Sequence, residues 1–342
     1  MAKMTQEKPK KKKILLLGLD NAGKTSIVKL VIKKMTDAIS TAPTKSVDRS
    51  ETEKLKHKTG AISTVPTKGV DRSETEILGQ EIVIHDLGGQ KKYRQKYIEN
   101  NTFFEGTDVL IFVTDLQDKD RYDVALDYFD KALSIVGQLK LVPKIYVFLH
   151  KFDGDYLEEY KDVKTRVQLE YIQLKDSYER TAKKHSVEVT EIFKTSISDE
   201  WGVFAAFNSI WVTVVPKVVS IQAFLDNLVA ENQEIGLTLV LDQKGNVLGK
   251  KLKEVADANM DQIAGIAAKS VLLLLDWQNT IEHNKVKDQE FAVIEVEDHS
   301  IMIRRVESLA ETLYLLIYTV SGKYKDLQQR LGRISFTLEN IL

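Results

Sequence analysis

Short apolar runs alternate with amphipathic stretches through the first 215 residues. KILLLGL (13–19), EIVIHDL (81–87), DVLIFVTDL (108–116) and KIYVFLHKF (144–152) carry Ile, Val, Leu and Phe with few interruptions. That is the pattern of strands buried on both faces. Between and after them the apolar period lengthens to that of a helix, over 24–35, 90–104, 120–137 and 156–185. VTEIFKTSI (189–197) predicts another strand, and the helix expected over 201–215 stops before Pro216. Strands alternating with helices predict an α/β domain with a mostly parallel sheet covered on both faces, spanning residues 1–215.

Beyond residue 216 the order changes. A helix is expected over 218–232, then a hairpin in GLTLVLDQKGNVLGKK (236–251) turning at Lys244, Gly245 and Asn246. A long helix follows over 254–283. Then come three strands, EFAVIEVED, SIMIRRVES and TLYLLIYTV, and a last helix over 322–342. This order predicts a separate α+β domain, residues 216–342, with an antiparallel sheet. The stretch IAGIAAKSVLLLLDW (263–277) is apolar over more than one helix face, so core burial leaves surplus surface for a dimer interface.

Composition narrows the class. The 342 residues are 43% hydrophobic and 29% charged with a net charge of −1, which suits a globular chain and gives no field for nucleic acid. With no cysteine, disulfides and thiolate metal sites are excluded and a reducing, cytoplasmic setting is expected. The apolar runs fall well short of the ~20 residues of a membrane span. The second residue is Ala2, not the glycine that myristoylation takes, and Lys10 to Lys13 read as a solvated leader before the first strand. The six histidines, among them His57, His85 and His185, show no metal-ligand spacing.

Candidate chemistry lies at the strand ends. GLDNAGKT (Gly18 to Thr25) fits G-x-x-x-x-G-K-[ST], follows a buried strand and opens a helix. Its glycines let backbone N–H groups wrap a phosphate, and the helix N-terminus adds a favourable dipole. Gly18, Asn21, Ala22, Gly23, Lys24, Thr25 and Ser26 are therefore nucleotide-binding candidates, with Lys24 reaching the β- and γ-phosphates and the Thr25 hydroxyl on Mg²⁺. In HDLGGQ (85–90), Asp86 ends a strand where a carboxylate can hold Mg²⁺, the Gly89 N–H can meet a γ-phosphate, and Gln90 can orient an attacking water. In HKFD (150–153), the Asp153 carboxylate can accept both N–H groups of the guanine edge, a pair that adenine lacks. The Lys151 stem can lie along the base. In KTSIS (194–198), a backbone N–H near Ser196 and Ile197 is a weaker candidate for the guanine carbonyl.

These motifs in this order resemble a Ras-superfamily GTPase. GLDNAGKT and TVPTKG are similar to the Arf branch, while HKFDG, with His150 where most small GTPases carry Asn, and TSISDE before a helix running into VVPKV resemble the Rag/Gtr branch. The order of the C-terminal elements resembles a roadblock/longin-type domain. The resemblance implies a GTP/GDP switch with Mg²⁺ that forms a homo- or heterodimer through its C-terminal domain. It also implies activating and exchange proteins as partners and recruitment to membrane surfaces through partners. An Arf-like trafficking switch and a non-hydrolysing, nucleotide-bound scaffold are the alternatives. The motifs contain no arginine of their own for the phosphates, so slow hydrolysis without an activating partner is expected.

One segment stands twice. AISTAPTKSVDRSETE (38–53) and AISTVPTKGVDRSETE (61–76) differ at two positions, Ala42/Val65 and Ser46/Gly69, as in a tandem duplication of 38–60 into 61–83. The resemblance places switch I here and makes the Thr after Pro a Mg²⁺ ligand, which is Thr44 in the first copy and Thr67 in the second. Loop entropy does not choose between them, since doubling a loop costs only ~0.6 kcal/mol. The flanks do. The second copy runs through a Gly79–Gln80 turn into the next strand, the first into the polar ETEKLKHKTG, and Gly69 has a backbone freedom that Ser46 lacks. Thr67 is the expected ligand. The first copy is then a surface loop or an extra edge strand, or exchanges with the second between nucleotide states.

Overall fold

The computed structural model describes residues 10–37, 67–153, 164–198, 200–243, 245–253, 291–296, 299–308, 311–319 and 324–342. Thr44 with the rest of the first repeat, and the expected helix over 254–283 with its surplus apolar surface, lie outside the described residues.

Among the described residues the first sheet has six strands: β1 (Lys12–Gly18), β2 (Val70–Ile77), β3 (Gln80–Leu87), β4 (Val109–Asp115), β5 (Lys144–His150) and β6 (Val189–Thr195). Their order is β2-β3-β1-β4-β5-β6, parallel throughout except for the β2–β3 hairpin. Helices α1 (Lys24–Asp37), α2 (Lys91–Glu99), α3 (Tyr122–Gln138), α4 (Lys164–Lys184) and α5 (Glu200–Val214) cover it. Alternate residues of β1 enter different cores. Leu15 and Leu17 join Phe112, Phe129, Val147 and Tyr178 under α3 and α4, whereas Ile14 and Leu16 join Ile111, Phe148 and Phe207 under α1 and α5. Both faces are buried, which is why these strands read as unbroken apolar runs. Phe129 stands edge-on to Phe112 and Tyr178 at 5.1 and 5.0 Å. Burying each such ring stabilises the fold by about 1.5–3 kcal/mol.

The second sheet is antiparallel, in the order β8-β7-β11-β10-β9, from β7 (Ile235–Asp242), β8 (Val247–Leu252), β9 (Phe291–Val296), β10 (His299–Glu307) and β11 (Thr312–Thr319). Helices α6 (Pro216–Glu231) and α7 (Tyr324–Ile341) accompany it. The arrangement is consistent with a roadblock/longin-like domain. Pro216 does more than end α5. It is the first residue of α6, where its fixed φ suits the start of a helix and its missing N–H costs nothing. Among the described residues no single helix is long and apolar enough to cross a membrane.

The two sheets share one core. α5 is apolar nearly all round, and its Phe207, Ile210 and Trp211 belong to the same buried cluster as Val240, Leu241 and Leu248. Asn208, on the same helix, donates to the Val247 carbonyl at 3.1 Å. The β2–β3 turn touches the second sheet as well: the Leu78 N–H donates to the Glu311 carboxylate at 2.8 Å.

Two boundaries differ from the sequence expectation. The hairpin turns at Leu78–Gly79, both with positive φ (49° and 84°), and Gln80 already pairs with Ile77. A two-residue loop with two left-handed residues matches the twist of its strands, so the turn is one residue earlier than Gly79–Gln80. The helix expected to reach residue 104 stops at Glu99. The Asn100 side chain accepts from the Thr102 N–H and hydroxyl at 3.2 and 2.7 Å and starts a separate short turn, Asn101–Phe103.

Candidate nucleotide site

The loop from β1 to α1 is shaped by close approach. Gly18 has φ of 145°, and a Cβ there would stand 2.2 Å from the Val113 carbonyl oxygen. Asn21 is left-handed (φ 64°), Ala22 is buried, and Gly23 (φ 91°) lets the chain turn into α1. The first turn of α1 holds no acidic side chain, so its dipole is left for an anion. Ser26 is buried in that turn. Lys24 folds back over the loop and donates to the Gly18 and Leu19 carbonyls at 3.1 and 2.8 Å. Burial pulls its ammonium down to about 8, against the opposing pull of Asp86 and Asp20.

Three oxygens converge beside it. The Thr25 hydroxyl donates to Asp86 Oδ2 at 2.5 Å and lies 2.7 Å from the Thr67 hydroxyl, which is itself 3.2 Å from Asp86 Oδ2. Asp86 is almost fully buried, and its Oδ1 has no hydrogen-bond partner among the described residues. Burial raises its pKa, with Lys24 and the two threonine hydroxyls opposing. An all-oxygen donor set with one buried carboxylate oxygen left over fits a hard divalent cation.

The stretch after Asp86 is held against both neighbours. Gly88 N–H donates to the Gly69 carbonyl at 2.8 Å, which also accepts from the Tyr97 hydroxyl at 2.7 Å. Gly69 has φ of 84°. A Cβ on Gly88 would stand 2.6 Å from the Thr67 carbonyl oxygen, and one on Gly89 2.1 Å from the Asp20 nitrogen. Gln90 precedes α2, and its carbonyl accepts from Tyr93 and Arg94 at 2.9 and 3.0 Å while its side chain takes no part in the cap. Arg94 returns to the Gly89 carbonyl at 2.9 Å, over the ring of Tyr128.

The other end lies beyond β4, β5 and β6. Asp153 accepts from Gln117 Nε2 at 3.1 Å and from the Ser196 hydroxyl. Gln117 also reaches the Lys151 carbonyl at 2.9 Å, and Ser198 N–H donates to Ser196 Oγ at 3.0 Å, closing a turn around Ile197. Lys151 is left-handed (φ 63°), and its ammonium sits 2.6 Å from Asp115. His150 is buried, its Nδ1 2.9 Å from the Thr195 hydroxyl, and desolvation lowers its pKa to about 4.

A cavity of about 410 Å³ brings Asn21, Gly23, Lys24, Thr25, Ser26, Thr67, Gly89, Gln90 and Lys151 to one surface. Asp86 lies beneath it through Thr25, and Gly18, Ala22 and His150 shape it from behind. Asp153, Ser196 and Ile197 do not line it; they follow the C-terminal ends of β5 and β6, on the same edge of the sheet as the β1–α1 loop. Two further lining residues, Asp20 and Arg121, were not singled out from the sequence. Nor were Gln117, which holds Asp153 and the Lys151 carbonyl, and Thr195, which holds His150. Arg121 stands between motifs, and only its place just before a helix that follows a strand could have marked it.

The chain matches the model of the Gtr1/RagA G protein conserved region over residues 13–264. Among solved structures it is similar to the Arl6 (BBS3) small GTPase from Trypanosoma brucei with bound nucleotide analogue GppNp. Identity is 18% and the TM-score 0.38, over 60% of this chain and 98% of that one.

Proposed function

This chain belongs to the Gtr1/RagA G protein family and is a Rag/Gtr-like GTPase of the Ras superfamily, and from that premise we propose which residues run its GTP/GDP cycle. The observation that carries the assignment is the cluster of Thr25, Thr67 and Asp86 oxygens beside buried Lys24, with Asp86 Oδ1 left unpartnered among the described residues. These three residues hold Mg²⁺, which, when bound, neutralises phosphate charge. The loop from Gly18 through Asn21, Ala22 and Gly23 to Ser26 wraps the phosphates, and Lys24 brings its positive charge to them. Gly89 offers its amide to the γ-phosphate, and Gln90, whose side chain is not spent on capping α2, orients the attacking water.

At the other end Asp153 reads the guanine edge. Its bonds to Gln117 and Ser196 support that role, because they hold the carboxylate in one orientation before a base arrives. His150 takes the place that Asn holds in most small GTPases, tied to Thr195 and packed on Gly23. Ser196 and Ile197 supply backbone near the base.

The family match runs to residue 264, past α6 and the β7–β8 hairpin, which supports the Rag/Gtr branch over an Arf-like one. Division at residue 216, pairing of two chains through the C-terminal domain, activating and exchange proteins, and recruitment to a membrane through partners belong to the same proposal. Light scattering on the full chain tests the pairing. Single-turnover hydrolysis with Mg²⁺ tests the site: Gln90→Leu is expected to slow GTP cleavage while leaving GTP affinity in place. Equal turnover in the two proteins removes Gln90 from that role.

A further inference from the structure

Arg121 closes the short helical turn Lys119–Arg121 just ahead of α3 and reaches back to the phosphate loop. Its guanidinium donates to the Asp20 carboxylate at 2.5 Å and to the Asp20 carbonyl at 3.5 Å, with Asp118 at 3.4 Å. It lines the same cavity as Lys24, Gly89 and Gln90. Gly89 lies directly on the backbone of Leu19 and Asp20, so the water-orienting side of the site and the guanidinium meet at one residue of the loop. About a third of each side chain of the Asp20–Arg121 pair is exposed or more. Such a pair is held weakly. A planar guanidinium prefers the several oxygens of a phosphate, in forked geometry, over two part-solvated carboxylates, Asp20 and the more distant Asp118.

We propose that Arg121 is a cis-supplied arginine for the transferring phosphoryl group, and that Asp20 holds it at the rim of the site until a γ-phosphate draws it in. This rests on the GTPase reading above. In the step itself the water oxygen forms a bond to the γ-phosphorus while the bond from that phosphorus to the β–γ bridging oxygen breaks. The electron pair leaves on GDP, and the water proton passes to the inorganic phosphate or to solvent. Negative charge gathers on the γ-phosphoryl and bridging oxygens along the way, and a guanidinium at the rim of the loop counters it. Asp20 plays the opposite part. Its carboxylate competes with the phosphate for the same cation, so it restrains turnover.

The test is single-turnover hydrolysis on the full chain, alongside GDP and GTP affinity and a thermal melt. Arg121→Ala is expected to slow hydrolysis by at least roughly tenfold while GDP affinity stays within about threefold. Arg121→Lys should fall between, and Asp20→Asn should speed hydrolysis several-fold, a gain that Arg121→Ala removes in the double variant. With aluminium fluoride, wild-type protein loaded with GDP should form the complex unaided, and Arg121→Ala should not. Unchanged hydrolysis in Arg121→Ala overturns the inference. So does a loss of GDP affinity or melting temperature that matches the loss of rate, which marks a structural pair. If Arg121→Ala does not fold, Asp20→Asn decides, and an unchanged or slower rate overturns the restraint. Wild-type protein that binds no guanine nucleotide sinks the GTPase reading and this inference together, whereas tight binding with indifference to Arg121 sinks only the inference.

Discussion

The Cδ2–Nε2 edge of the His150 imidazole lies against Gly23, so close that a Cβ on that glycine would stand 2.3 Å from the ring. The end of β5 thus supports the loop between β1 and α1 from behind, and two motifs more than a hundred residues apart form one wall. Gly23→Ala meets both this ring and a φ of 91°, a conformation worth about 1–3 kcal/mol of strain to a residue with a side chain. It should lower the melting temperature and abolish nucleotide binding. Adding His150→Ala removes the clash but not the strain, so the double variant should melt above Gly23→Ala and below wild type. Equal melting of the two variants counts against the contact.

His150 also sets an acid limit. Its pKa falls from the usual 6.5 to about 4 on folding, because burial disfavours the charged ring. The unfolded chain therefore binds the extra proton first. Stability should drop as pH falls from about 6.5 to about 4 and level off below, by up to about 3 kcal/mol from this residue. Urea unfolding at pH 7 and pH 5 measures it, and His150→Asn should flatten the difference. A difference that survives in the variant belongs to other groups.

Lys24 gives the opposite edge of the pH range. Before nucleotide binds, burial holds its ammonium near 8, well below the ordinary 10.5. Phosphate recognition uses the charged form, so binding above pH 8 must take up a proton. Affinity for GTP should be flat below that value and fall by up to about tenfold per pH unit above it. Lys24→Arg, whose charge does not titrate in this range, should lose the slope even if its affinity is lower throughout. The same slope in both proteins would assign it elsewhere.

Much of this was readable in the chain. The two-faced sheet was visible because Leu15 and Leu17 bury one way while Ile14 and Leu16 bury the other, which leaves an unbroken apolar word. The phosphate loop was visible because glycine is demanded by contact, as at Gly18 against Val113. Arg121 was hidden because its partner Asp20 is a hundred and one residues away and no local spacing joins them. Gln117 and Thr195 were hidden likewise, since both act through strands that become neighbours only in the sheet. The misplaced turn has a different cause: Leu78 adopts a left-handed φ that a leucine rarely takes, and only Gly79 advertised itself.

The repeated segment can now be tested by its metal-site candidate. Thr67 joins the Thr25 and Asp86 oxygens. Thr67→Ala should raise the GTP dissociation constant in Mg²⁺ at least roughly tenfold, while Thr44→Ala leaves it alone. Weakening by Thr44→Ala only would reverse the assignment, and partial weakening by both would point to exchange of the two copies.

Gly69 separates the copies by backbone instead. Its φ of 84° is one that the matching Ser46 would have to adopt to do the same work. Gly69→Ser should therefore cost about 1–2 kcal/mol in unfolding free energy, and Ser46→Gly should cost less than half of that. A neutral Gly69→Ser would mean that the bend at this position is not required.

The β2–β3 ladder is fastened at both ends: at one by Gly69, which accepts from Gly88 and Tyr97, and at the other by Leu78, which donates to Glu311 just before the start of β11. Eight paired positions lie between, a span of roughly 25 Å. A rod pinned this way cannot slide by one residue and keep both pins, because the slip would also turn Ile77 out of the core. The ribbon therefore makes the spacing between the nucleotide pocket and the second sheet a fixed length, and any shift of that length has to be registered at Glu311.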